Sequence, residues 1–249
     1  MELLGRMALV TGAGARVGRA IAVGLAGAGC DVAVHFGTNG AGAEETAAAV
    51  RALGRQAWTA GADLSEMDGA DTLLKVLAAL GETDGAAPVD ILVNAASPYR
   101  KTPLADLTHD DWRAYANVHA WAPLRLSQAL GLAMKARGAG KIVNITDAGL
   151  GRPYKGFAPY LATKGALAEL TLALAAELAP EVQVNAVAPG TVLPPPGATD
   201  AWLKGVTGRT PLGRVGSPDD VARAVVNLCR DGDFITGSTV RVDGGASWG

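Results

Sequence analysis

No stretch of this sequence holds the ~20 consecutive apolar residues that a membrane-spanning helix needs. Its opening residues, MELLGRMALVTG, lack the charged and cleavable parts of a signal peptide, so a cytoplasmic protein without a membrane partner is expected. An excess of charge of one sign is missing too. The 22 Lys and Arg stand against 24 Asp and Glu, a net formal charge of -2, and they are scattered rather than blocked. Nucleic acid would call for a basic face, and no such footprint is present. Cysteine is scarce: Cys30 and Cys229 lie in apolar contexts without metal-ligand spacing, which predicts buried reduced thiols and no metal site.

What is there is apolar and periodic. The chain of 249 residues is 49% hydrophobic, enough for one large domain with a sizeable core. Short β-rich runs at 7–10, 31–35, 56–60, 90–93, 141–145, 183–187 and 239–242 alternate with helical spacing at 18–28, 41–53, 122–137, 160–178 and 218–230. Most of the strand runs are continuously apolar. Strands covered on both faces read that way, so the pattern predicts an α/β domain with a doubly wound parallel sheet. No composition break divides residues 1–249 into two domains. The least regular stretch, about 190–216, contains three consecutive prolines that bar an ordinary helix or central strand at that point. It reads as a substrate lid or as a plain surface loop.

The first strand runs into TGAGARVG at 11–18 and then into a helix. Gly12 and Gly14 let backbone approach a pyrophosphate, Gly18 lets the helix pack on the sheet, and the helix N-terminus supplies amide donors. A dinucleotide is the expected ligand. Folds that favour NAD carry an acid at the end of the second strand, but here that end reads HFGTN, residues 35–39, with none. Thr38, Asn39 and the Arg16 cation suit a 2′-phosphate instead. The expected cofactor is therefore NADPH/NADP+.

In PYLATKG, Pro159 opens a helix and places Tyr160 and Lys164 on one face, four residues apart. A free phenol has a pKa near 10, and an ammonium held close is expected to lower it toward working pH. The segment VNITDAG puts Asp147 two residues past the end of the strand at 141–145, where such a sheet meets its ligand. Read without its neighbours, that acid could equally cap a helix.

Taken in order, TGAGARVG, Asp63-Leu64, LVNAAS at 92–97, Asn117, Tyr160 with Lys164, APG at 188–190, PLGRVGSPDDVA and ITGSTVRVDGG resemble the short-chain dehydrogenase/reductase family over essentially the whole chain. The resemblance implies a single-domain Rossmann fold with a seven-stranded sheet of order 3-2-1-4-5-6-7, and commonly a homotetramer. It implies catalysis by Tyr160, Lys164 and Asn117, the last supporting Lys164 through water. Cofactor contacts are implied at Gly12, Gly14, Arg16, Val17, His35, Thr38, Asn39, Asp63, Leu64, Asn94, Ala95, Ala96, Lys164, Pro189 and Gly190.

Two departures point further. Arg16 replaces the family's third glycine, and Asp147 replaces its catalytic serine thirteen residues before the tyrosine. Together they resemble the pteridine reductases and the related dihydromonapterin and dihydrofolate reductases. That likeness implies a pterin or folate substrate held by Arg16, Ser97, Tyr99, Asp147 and Tyr160. A serine would donate to a carbonyl oxygen, whereas an ionised aspartate would repel charge developing there, so reduction of a ring C=N bond, with Tyr160, Lys164 and Asp147 organising its protonation, is the leading expectation. An NADPH-dependent ketone or 3-oxoacyl reductase is the alternative, and a non-catalytic NADP-sensing protein a second one. Ala95 stands where the family has a second asparagine. Trp121 and Trp202 are read as packing residues.

Overall fold

The computed structural model describes residues 1–152, 154–194 and 197–248. Seven strands form one sheet: β1 (Met7–Val10), β2 (Asp31–Phe36), β3 (Ala57–Gly61), β4 (Ile91–Asn94), β5 (Gly140–Ile145), β6 (Val182–Pro189) and β7 (Thr239–Val242). Every pairing is parallel and the order is β3-β2-β1-β4-β5-β6-β7, as expected. The central strands β1, β4 and β5 are buried along their whole length, while the edge strand β7 buries none of its residues. Continuous apolarity in the middle of the sheet is what burial on both faces requires.

Alternate residues of each central strand feed two separate cores. Ala8, Val10, Val32, Val34, Ile91, Val93 and Val143 point into one core. It is closed by α1 (Arg16–Gly27), α2 (Gly40–Ala52) and α8 (Pro218–Arg230). Met7, Leu9, Ala33, Leu92 and Ile142 point into the other. It is closed by α3 (Gly69–Asp84), α5 (Ala122–Ala136) and α6 (Ala158–Leu178). The period of two along a strand thus becomes a three-layer domain. The chain reverses its direction across the sheet between β1 and β4, and the crevice beyond their carboxyl ends is where such folds bind ligands.

α3 and α4 (His109–Ala116) were not anticipated from sequence spacing. α4 runs through a π-helical turn, Asn117–Trp121, directly into α5. The 190–216 stretch is also more ordered than its composition suggests. It contains α7 (Asp200–Thr207), whose N-terminus is capped by the Thr199 hydroxyl accepting from Trp202 N–H at 3.2 Å. Two of the three prolines, Pro195 and Pro196, lie outside the described residues. Cys30 and Cys229 are fully buried free thiols, each pushed up to about 12 by desolvation and so chemically quiet.

Candidate active site

The first turn is shaped from beneath. Gly12 takes a φ of +66°, and a Cβ there would sit 2.7 Å from Ala96 Cα. Glycine at this place therefore lets the turn close on the β4 loop. Thr11 Oγ1 accepts from the amides of Ala95 at 2.9 Å and Ala96 at 3.0 Å, which locks that loop against it. α1 begins without any side-chain cap and without an acid in its first turn. Its free amides at the head of twelve residues form an anion-binding end, so a dinucleotide phosphate fits the residues present. No acid stands at the end of β2, which keeps the 2′ position open to phosphate.

Arg16 opens α1 with a φ of +53°, a left-handed conformation that a side chain adopts at a cost of about 1 kcal/mol or more. The family's glycine at this position is explained by that angle. Arginine retained there is exposed, and its charge is felt by the Tyr99 phenol.

Tyr160 and Lys164 come together in the first turns of α6, both buried, below half-buried Asp147 at the end of β5. Tyr160 donates its hydroxyl hydrogen to Asp147 Oδ2 at 2.7 Å. Gly149 N–H donates to Asp147 Oδ1 at 2.6 Å and fixes the carboxylate. Lys164 Nζ donates to the Ile145 carbonyl at 2.5 Å and lies 6.0 Å from the Tyr160 ring centroid. Burial lowers the Lys164 ammonium to about 8, partly offset by the Asp147 charge. The expected lowering of the Tyr160 phenol is not found. Burial first, then the Asp147 charge and hydrogen bond, push it well above its ordinary value. The nearby anion and the low polarity both disfavour phenolate, so Tyr160 is held as the proton-bearing form.

Several residues expected at the cofactor have side chains engaged within the protein. His35 is 1% exposed and sits under the first turn. Its Nδ1 accepts from Gly12 N–H at 3.0 Å and its Nε2 donates to the Ala62 carbonyl at 2.9 Å. Leu64 is buried in the core shared with α3. Asn39 caps α2, accepting from Gly42 N–H at 3.1 Å, and its amide donates to Gly14 O at 3.1 Å. Asn117 donates its side-chain amide to Ser65 O at 2.7 Å, so its side chain is directed to Ser65. Asn94 donates to Asn144 Oδ1 at 2.8 Å, inside the sheet. Asp63 accepts from Ser65 N–H and Oγ, which lowers its carboxyl. Pro189 ends β6, and Gly190 N–H donates to Val242 O at 3.0 Å; Val17 packs on the core at the start of α1 and Thr38 is exposed.

Tyr99 remains 65% exposed and meets Tyr160 edge-on at 5.1 Å. Its face is stacked on Phe157 at 5.0 Å, a partner that no sequence signal announced. His119, also unanticipated, is fully buried with its ring 5.5 Å from that of Tyr160. One histidine two residues past Asn117 on an apolar helix carries no motif.

The family described as enoyl-(acyl carrier protein) reductase matches residues 12–247. Gluconate 5-dehydrogenase of Gluconobacter oxydans (strain 621H) is 35% identical, over 98% of this chain and 95% of its own. Among solved structures, the promiscuous reductase LugOII, which catalyses keto-reduction at C1 during lugdunomycin biosynthesis, superposes with a TM-score of 0.89 at 34% identity, covering 100% of both chains. The angucycline C-6 ketoreductase LanV with bound NADP does so with a TM-score of 0.90 at 31% identity, covering 100% of this chain and 98% of its own.

Proposed function

This chain belongs to the short-chain dehydrogenase/reductase family of oxidoreductases, and on that premise we propose that it is an NADPH-dependent ketoreductase. NADP(H) as cofactor is supported by LanV, which binds NADP, and by the uncapped head of α1 with Arg16 beside it. The observation that carries the reading is the Tyr160 proton, held on Asp147 at 2.7 Å beside the buried Lys164 cation.

When bound, NADPH supplies the hydride. As the carbonyl carbon receives it, the oxygen gains the bond's electron pair and needs a proton, and Tyr160 is the phenol that carries one. Lys164 is the cation within reach of the phenolate left behind. A carbonyl oxygen that takes the Tyr160 hydrogen displaces Asp147 as its acceptor. Asp147 Oδ2 then needs another donor, because a carboxylate stripped of its partner in a half-buried site is costly. A hydroxyl next to the substrate carbonyl meets that need. The repulsion that an aspartate would exert on a plain ketone is thereby turned into a preference for hydroxylated ones.

Reduction of a pterin or folate, the leading expectation from the sequence, stands second. It is supported by Tyr99 and Asp147, which both meet Tyr160, but the relatives named above are a gluconate dehydrogenase and two reductases of ketones. A homotetramer is a further proposal, supported by α6, an apolar-rich helix that leaves Leu172 51% exposed. The 190–216 stretch is proposed as a lid because α7 buries no residue of its own. Incubating the protein with NADPH and either a hydroxyketone, its deoxy analogue or dihydrobiopterin tests the assignment. Faster oxidation of NADPH with the hydroxyketone than with the other two is expected.

A further inference from the structure

A line of hydrogen bonds leads from the exposed Ser97 to the backbone that carries Tyr160. Ser97 Oγ lies 2.8 Å from His119 Nε2, and His119 Nδ1 lies 2.9 Å from Thr163 Oγ1. Thr163 Oγ1 in turn reaches the carbonyl of Pro159 at 2.8 Å and that of Tyr160 at 3.1 Å. Ser97 is exposed, whereas His119 and Thr163 are buried.

The direction of every hydrogen in this line is set from its inner end. A carbonyl oxygen has no hydrogen, so the Thr163 hydroxyl must place its own toward Pro159 or Tyr160. Thr163 Oγ1 is then an acceptor toward His119, and Nδ1 must carry the imidazole hydrogen. Desolvation, reinforced by the Lys164 charge, holds the ring neutral by lowering it to about 2. Nε2 is therefore a bare lone pair. Only the Ser97 hydroxyl can fill it, since two lone pairs facing each other at 2.8 Å would repel. The contact to Pro98 O, at 3.4 Å, is the poorer use of that hydrogen.

A serine beside a histidine also suggests nucleophilic attack, but this imidazole cannot serve as the base. It lacks a carboxylate partner, with Thr163 in that place, and its surroundings oppose the imidazolium that proton abstraction would create.

We infer that His119 is a positioning residue that fixes Ser97 as a hydrogen-bond acceptor toward the cleft, so that the site selects carbonyl substrates bearing an O–H or N–H donor at that point. The substrate class rests on the ketoreductase reading above; the polarity of the line does not. Ser97 Oγ gives its hydrogen inward and keeps only lone pairs for the ligand. Asp147, which accepts the Tyr160 hydrogen, is a second acceptor beside the proton donor.

The polarity is read directly by nitrogen NMR of the full chain labelled with 15N-histidine, which carries three histidines. The His119 signals, identified by their loss in His119→Gln, should show a protonated Nδ1 and a bare Nε2 that does not titrate between about pH 5 and 8. A proton on Nε2 would overturn the inference. For the selectivity, hydroxyketones are compared with their O-methyl ethers. Wild type should favour the free hydroxyl, and Ser97→Ala should reduce that ratio of kcat/KM by about tenfold, with NADPH affinity unchanged. His119→Phe, which frees the Ser97 hydrogen, should raise the relative rate of the ethers. An unchanged ratio in Ser97→Ala would overturn the selectivity. If no carbonyl is reduced at all, the ketoreductase reading fails, and the tautomer alone then supports or overturns the inference.

Discussion

The Tyr160 hydroxyl gives its hydrogen to Asp147 Oδ2 over 2.7 Å, while Gly149 N–H holds the other carboxylate oxygen at 2.6 Å. The proton donor is thus tied to the residue that stands at the family's serine position, and substrate must compete for it.

Replacing Asp147 by Ser removes the competing anion and restores a donor toward a carbonyl oxygen. Turnover of plain ketones by Asp147→Ser should rise severalfold, and the advantage of hydroxyketones should shrink. Tyr160→Phe should lower kcat for both by a factor on the order of 10² or more, with NADPH affinity retained. Steady-state kinetics on the matched ketones, with cofactor affinity from fluorescence titration, check both. A fall in plain-ketone turnover in Asp147→Ser would count against the role given to the aspartate.

The Lys164 ammonium, lowered to about 8 by burial, gives the reaction an alkaline limb. Below that value the cation is present to stabilise the phenolate; above it the charge is lost, and kcat for reduction should fall with rising pH. Because the Asp147 charge raises the Lys164 value, Asp147→Ser should move the limb to lower pH. A profile of kcat against pH for both proteins measures the shift. Movement toward higher pH would contradict the electrostatics.

Arg16 combines a charge with a strained backbone at φ +53°. Arg16→Gly removes both. The ratio of NADPH to NADH in kcat/KM should fall by about tenfold, while the thermal midpoint holds or rises because the left-handed angle no longer costs energy. Cofactor kinetics and a melting curve separate the two effects. A retained NADPH preference would show that Arg16 does not bind the 2′-phosphate.

His35 makes the fold sensitive to acid. Its folded value is lowered to about 4, below the unfolded 6.5, so as pH falls the unfolded chain takes up the proton first. Stability from this group is complete above about 6.5, is lost progressively down to about 4, and amounts to about 3 kcal/mol. Urea unfolding across that window should show the loss, and His35→Gln should show a smaller one. Equal slopes in the two proteins would remove His35 from the account.

The sheet was legible because burial on both faces leaves a continuous apolar run, as in β1 and in Ile91, Leu92 and Val93 of β4. Tyr160, Lys164 and Asp147 were legible because helix and strand-end spacing fix which groups meet. The direction of the Tyr160 shift was not, since it depends on burial and on which atom receives the hydrogen. α7 was hidden by the neighbouring prolines. His119 was hidden because a histidine's meaning lies in its partners, and Ser97 and Thr163 are 22 and 44 residues away from it. His35 was assigned to the cofactor by its place at the end of β2, whereas its two nitrogens are occupied by Gly12 and Ala62.

The most direct measurement follows the transferred hydride. Reduction of a hydroxyketone with NADPH deuterated at nicotinamide C4, analysed by mass spectrometry and NMR of the product, should place one deuterium on the carbinol carbon. The deoxy ketone should react more slowly and dihydrobiopterin more slowly still. Deuterium delivered to a pterin ring carbon, with no alcohol formed from any ketone, would contradict the account.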